Sequence, residues 1–283
     1  MQIVTLTTDF GLQDHYVASL KGAILKQIPG ATIIDISHSI PAFNVANAAY
    51  QLKSSYRFFP ENTIHIVAVD SEPDIKLKIP SLPSVLHHEN QFFIGNNNGF
   101  FGAFLEDQGS ELFFQMEPHS LREDHYKFTS IRCFAPIAGR IHKKEKLNAF
   151  LSKSEQIKRA FFPKPIVESN KLLGQVIHID SLGNIITNIS KAEFYRFGRE
   201  IPFTIYYASR DHFIDKISTS YNDVVPGEKL ALFNMSDFLE IAVNKGVNSL
   251  NAGASKLFGM KVGDNLTVEF NPPGSVKDIN SLF

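Results

Sequence analysis

Ile3-Val4-Thr5-Leu6-Thr7-Thr8-Asp9-Phe10-Gly11 decides the fold. Ile3–Leu6 has the length and apolar content of a buried strand, it empties into a polar turn, and Tyr16–Gln27 then carries apolar residues at helical spacing. The pattern returns as strand Thr32–Ile36, a helical stretch around Val45–Arg57 and strand Thr63–Val69. Such alternation predicts an α/β domain with a mostly parallel, Rossmann-like sheet covered on both faces. Ligands of these sheets sit at the carboxyl ends of the strands. Asp9, Ser37–Phe43 and Asp70 all follow such ends, so three polar loops fall along one edge.

A further strand, Gln91–Ile94, leads into Gly95-Asn96-Asn97-Asn98-Gly99, a run of turn formers. Between Ser152 and Asn170 the chain becomes charged and holds Pro163 and Pro165, the composition of a linker. Leu173–Ile179, Pro202–Tyr207, Lys229–Phe233 and Leu266–Phe270 then read as short strands separated by Gly, Asn, Asp and Pro. The expected organisation is an α/β domain over 1–165 and an antiparallel β-barrel over 166–283. The tail from Asn271 shows no apolar face until Leu282 and is expected to be loosely held.

The 283 residues are 43% hydrophobic and 20% charged, with a formal net charge of -1, the profile of a globular chain with no broad pull toward nucleic acid or anionic membrane. A small-molecule partner is expected. One cysteine, Cys133, excludes an internal disulfide and a CxxC metal or redox site, and points to a reducing cytoplasm with Cys133 in the core. The first residues lack the basic and apolar regions of an export signal, and no stretch approaches about 18 uninterrupted apolar residues. Neither export nor membrane insertion is expected.

Several residues combine chemistry with position. A carboxylate at 9, after the first strand, can accept two hydrogen bonds from a ribose 2′,3′-diol; a helix cap or Asx turn explains a lone Asp equally well. Asp70 is a turn residue or a carboxylate aimed into the crevice. The asparagine cluster at 96–98, with Asn97 at its centre, has the groups to bond a base or backbone, and a structural turn explains it equally well. In Ile179-Asp180-Ser181-Leu182-Gly183-Asn184, Asp180 and Asn184 share one loop and suit an amine and a hydroxyl, although hairpin chemistry also accounts for them. Asn234-Met235-Ser236 follows a strand and offers Ser236 to a carboxylate, with turn chemistry as the alternative.

Taken in order, TLTTDFG, DISHSIPAFNV, HIVAVDSEP, FIGNNNGFF, FTSIRCFAPIA, VIHIDSLGNIITNI and LALFNMSDFLEIAVNKG resemble the S-adenosylmethionine (SAM) hydroxide adenosyltransferases and the related fluorinases and chlorinases. The likeness spans about residues 3 to 268. It implies a homotrimer with each site between one subunit's first domain and its neighbour's second. SAM or adenosine is the implied ligand, as substrate rather than cofactor, and no metal is implied. Matched by motif, Asp9 would hold the ribose diol, Phe43 would wall the sugar and sulfonium, and Asn184 and Tyr221 would help hold the adenosine. Asp180 and Ser236, the latter beside Asn234, would take the methionine amino and carboxylate groups. Aromatic faces suit a sulfonium cation and a base.

The hydrolases of that family hold a nucleophilic water with an Asp, Arg and His set, and here the set is incomplete. Asp70 matches the Asp. The Pro-Gly-Val-Gly that follows it is replaced by Ser71-Glu72-Pro73-Asp74, and the Arg position falls near Leu77, flanked by Lys76 and Lys78. The His position is Thr129, and Ser130 stands where fluorinases place a halide-contacting serine. An ionised Asp70 would repel a halide and accept a hydrogen bond from water. The resemblance therefore implies a hydrolase forming adenosine and methionine, with Asp70, Thr129 and Ser130 at the reacting end. A SAM- or adenosine-binding protein without turnover is the alternative, and halide transfer ranks below both.

Overall fold

A computed structural model describes residues 1–105, 112–160, 163–198, 201–246 and 253–271. The expectation for the tail falls outside these residues. The chain divides into two compact units, Met1–Phe162 and Pro163–Phe283.

The first unit runs β1 (Ile3–Thr8), α1 (Tyr16–Gln27), β2 (Thr32–Ser37), α2 (Val45–Lys53), β3 (Ile64–Ala68), β4 (Pro83–His88), β5 (Gln91–Asn96), α3 (Phe100–Leu105), β6 (Leu112–Gln115), α4 (Ala135–His142) and β7 (Ser152–Lys153). One π-helical turn, Ser130–Phe134, feeds directly into α4. The seven strands lie in the order β2-β1-β3-β5-β4-β6-β7. Parallel pairing joins β2, β1, β3 and β5, and antiparallel pairing adds β4, β6 and β7. The sheet is thus mixed and the class α/β, the parallel half being the part whose alternation was legible.

Side-chain period explains the layering. Along β3, Ile64, Ile66 and Ala68 enter one core with Leu20 and Ile24 of α1 and Ile137 and Ile141 of α4. Val67 and Val69 enter the opposite core with Leu52 of α2 and Phe100 and Phe104 of α3. Buried Val17, Leu20 and Ile24 give α1 the spacing of one helical face. Asn44 caps α2, its side chain accepting from the Asn47 N–H at 2.9 Å. Cys133 lies in the first core, where burial pushes its thiol up to about 12.

The second unit runs β8 (Ile166–Val167), β9 (Lys171–Ile179), β10 (Ile185–Ser190), α5 (Lys191–Tyr195), β11 (Phe203–Tyr207), β12 (Ser209–Ile214), β13 (Lys229–Phe233), β14 (Phe238–Val243), α6 (Ala254–Phe258) and β15 (Asn265–Phe270). Its antiparallel sheet has the order β12-β11-β15-β9-β10-β14-β13, with β8 also paired to β9. Past β12, Ile217 bridges to Ala231 of the far edge strand β13, so the sheet curls into a nearly closed barrel. Leu172, Val176, Ile185, Ile241 and Val268 fill the interior. Glu240, between Leu239 and Ile241 on β14, faces the other way, toward the side where Val224 packs on Leu230, Leu232 and Ala242.

Candidate functional site

β2 pairs with one edge of β1 and β3 with the other, so the direction of strand addition reverses between β1 and β3, a topological switch point. Asp9 and Asp70 follow these two strands directly. Asp9 Oδ2 accepts the backbone N–H of Phe43 at 3.0 Å and that of Asp70 at 3.3 Å, joining the loops after β1, β2 and β3 in one carboxylate. Among the described residues, nothing donates to Asp9 Oδ1.

Three side-chain-bearing residues near these loops hold the left-handed backbone that favours glycine: Phe43 at φ 63°, Asp70 at φ 47° and Phe128 at φ 55°. For a bulky residue this costs about 1–2 kcal/mol and persists only where the surroundings enforce it. Here Asp9 enforces the first two through their N–H groups. Glu72 enforces the third, Oε1 accepting the Phe128 N–H at 3.2 Å. Phe43 is 73% exposed, its ring standing free for an aromatic or cationic partner rather than buried in the core. Phe128 stacks on Tyr16, which in turn meets Phe10.

Asp70 is exposed as a residue, yet the protein around its carboxylate desolvates it, and that partial burial raises its pKa. Asp9 adds to the rise and Lys158 opposes it. Backbone placement of Asp70 is firm: Asn98 Nδ2 donates to the carbonyls of Val69 and Asp70, both at 2.9 Å. Asn96 Nδ2 likewise donates to the Ser71 carbonyl at 2.6 Å. Asn97 is fully enclosed, donating to the Gln156 carbonyl at 2.7 Å and accepting the Lys158 N–H at 2.8 Å.

Thr129 caps and Ser130 opens the π-helical turn, and both are buried. The Thr129 hydroxyl has two acceptors, Glu72 Oε2 and the His125 carbonyl, each at 2.9 Å. Thr129 therefore meets the loop that carries Asp70 through Glu72, a residue the sequence did not single out. Lys76, Leu77 and Lys78 are exposed on that loop.

In the second unit Asp180 closes its own turn: Oδ1 accepts the N–H groups of Leu182 and Asn184, and Oδ2 accepts Asn184 Nδ2 at 2.9 Å. Asn234 Oδ1 similarly receives the N–H groups of Ser236 and Phe238 in the β13–β14 loop. Beside them is a group that sequence reading passed over. Glu240 is 3% exposed and its Oε1 accepts the Tyr221 hydroxyl at 2.6 Å. Burial raises the pKa of Glu240, its hydrogen bonds to Tyr221 and Asn234 oppose the rise, and the Asp180 charge adds to it. Burial and the Glu240 bond also raise Tyr221. Asp180, Asn234, Tyr221 and Glu240 thus form one polar group on the barrel. A Glu inside an apolar strand, Phe238-Leu239-Glu240-Ile241-Ala242-Val243, was the signal for it.

Residues 4–151 match the model of the SAM hydroxide adenosyltransferase N-terminal domain, and residues 174–267 match that of the C-terminal domain. The chain belongs to this family. An adenosyltransferase-family relative from Methanocaldococcus jannaschii, named (R)-S-adenosyl-L-methionine hydrolase, is 32% identical over 207 residues, 68% of this chain and 69% of that protein. A relative of the same name from Thermus thermophilus is 25% identical over 93% of this chain and 98% of its own. A fluorinase from an Actinoplanes species is 26% identical over 69% and 74%. An uncharacterized conserved protein from Thermotoga maritima superposes with a TM-score of 0.79 at 28% identity, covering 94% of this chain and 99% of its own. Among the described residues, no helix of this adenosyltransferase-family chain is long and apolar enough to cross a membrane.

Proposed function

We propose that the chain hydrolyses SAM to adenosine and methionine. The observation that carries this reading is the Asp9–Asp70 pair at the switch point, held by a strained backbone, in a chain whose relatives are named SAM hydrolases. Asp9 Oδ1 accepts from the ribose diol, and Phe43 lies against the sugar and sulfonium. Asp70 accepts a hydrogen bond from a water aligned with C5′. The water oxygen bonds to C5′ as the C5′–S bond breaks, the electron pair goes to sulfur, and the water's surplus proton passes by way of Asp70 to solvent. Positioning supplies most of the effect, because a sulfonium already leaves well. Thr129 acts through Glu72, and Ser130 stays at the reacting end. Asp180, Ser236 and Asn234 take the amino-acid end, and Asn184 and Tyr221 the adenosine. A cytoplasmic homotrimer completes the reading, with sedimentation and cell fractionation as its tests.

A second reading rests on one observation: position 129 carries a hydroxyl already engaged with Glu72 and the His125 carbonyl. Such a group supplies no base near neutral pH, which favours SAM or adenosine binding without turnover. Incubation with SAM separates the two. Adenosine and methionine in equal amounts, lost in Asp70→Ala, support hydrolysis; calorimetric binding without product supports the binding protein. Formation of 5′-chloro-5′-deoxyadenosine only when chloride is present would overturn both in favour of halide transfer.

A further inference from the structure

A chain of polar side chains runs from the surface of α1 to the turn that carries Asp9. Lys21 Nζ of α1 donates to Asp35 Oδ2 of β2 at 2.6 Å, and Asp35 Oδ1 lies 3.1 Å from His38 Nε2, off the line of an ideal hydrogen bond. On the other side of the ring, His38 Nδ1 is 2.9 Å from the Thr8 hydroxyl, which also accepts the Phe10 N–H at 3.3 Å. His38 is 5% exposed and Thr8 is fully buried, so both depend on protein partners rather than water. The direction of each bond follows from the groups. A carboxylate only accepts, so in the neutral ring the proton sits on Nε2 facing Asp35, and Nδ1 is left to accept from Thr8.

His38 also holds the far side of that turn. Its carbonyl accepts the N–H of Gly11 at 2.8 Å, and Gly11 stands at φ +68°, where a side chain would be strained. Asp9 lies between Thr8 and Gly11, and it returns the contact by accepting the N–H of Phe43, from the loop that His38 opens. The loops after β1 and β2 therefore clasp each other from both sides. We propose that His38 is a positioning residue for Asp9, fixing through Thr8 and Gly11 the turn that aims this carboxylate at a ribose diol. The inference rests on the reading that Asp9 takes the ribose. His38 itself is enclosed between Thr8 and Asp35 and acts only through the turn, while Asp35, anchored by Lys21, sets the tautomer of the ring.

The test measures Kd on the full chain, by calorimetry, for adenosine and for 2′,3′-dideoxyadenosine. The parent prefers adenosine by about tenfold or more, as for hydrogen bonds to a charged group. In Thr8→Val and in His38→Leu that preference falls several-fold, while the dideoxy compound keeps its affinity. His38→Asn, whose carbonyl stands in for Nδ1 and needs no partner to set a tautomer, keeps the parent's preference. Thr8→Val carries the test should His38→Leu fail to fold. An unchanged preference in Thr8→Val overturns the proposal, and so does an equal loss of affinity for both compounds, which is what a purely structural role gives. A parent that forms no adenosine from SAM while the preference shifts as stated overturns the hydrolase reading alone. A parent that binds both compounds equally removes Asp9 from the ribose and overturns the proposal, whatever the turnover of SAM.

Discussion

Thr129 and Glu72, 57 residues apart in sequence, meet at 2.9 Å, hydroxyl to carboxylate. The same carboxylate holds the left-handed Phe128, so one side chain ties the Asp70 loop to the start of the π-helical turn. Thr129→Val keeps the shape but removes the donor. It is expected to cost about 1–2 kcal/mol by thermal or urea unfolding, and Glu72→Gln, which retains an acceptor, less. Equal stability of Thr129→Val and the parent would show that the pair contributes nothing.

Asp9 is expected to serve both ligand and neighbour. Asp9→Asn removes a charge that raises Asp70, so the acid limb of the rate profile moves to lower pH. The ribose loses a charged acceptor, and SAM affinity by calorimetry falls by about tenfold or more, as for loss of a hydrogen bond to a charged group. An unchanged Kd would remove Asp9 from the ligand.

His65 supplies a pH test of the fold. Its ring lies between Thr5 Oγ1 at 2.7 Å and Gln91 Oε1 at 2.6 Å, and burial lowers its pKa from 6.5 to about 4. Gln91 Oε1 can only accept, so Nε2 carries the proton and the ring is neutral when folded. Between these two values the unfolded chain binds a proton that the folded chain refuses, so stability falls as pH drops from 6.5 toward 4. The full span is worth about 3 kcal/mol. A His65→Gln variant, although less stable at neutral pH, should show a flatter dependence of Tm over that window; parallel curves would refute the assignment.

Tyr221, 41% exposed, donates to the buried Glu240, so the two partners are unequal. Tyr221→Phe strands a buried carboxylate oxygen and is expected to cost about 1–3 kcal/mol. Adding Glu240→Gln should restore part of that loss, since the amide needs no charge stabilised at a desolvated position. A double variant no more stable than Tyr221→Phe would exclude this coupling.

Legibility followed locality. The bounds of α1 were readable to the residue, because Val17, Leu20 and Ile24 repeat along one face and Asp9-Phe10-Gly11 interrupts the strand before them. Expected strand Thr32–Ile36 stops one residue short of β2, and Thr63–Val69 overruns β3 by one residue at each end. In contrast β4 opens on Pro83 and closes on His87-His88, and its burial comes from pairing with β5 and β6 rather than from its own composition. Asp9, Phe43 and Asp70 come together because strand order places their loops side by side. The contact of Glu72 with Thr129 was not legible, since it joins residues 57 apart in sequence.

Phe43, Asp70 and Phe128 occupy backbone positions where glycine would be more comfortable. Laboratory evolution that selects for heat resistance alone should therefore trade these side chains away, and hardened descendants would be expected to lose their ligand before their fold.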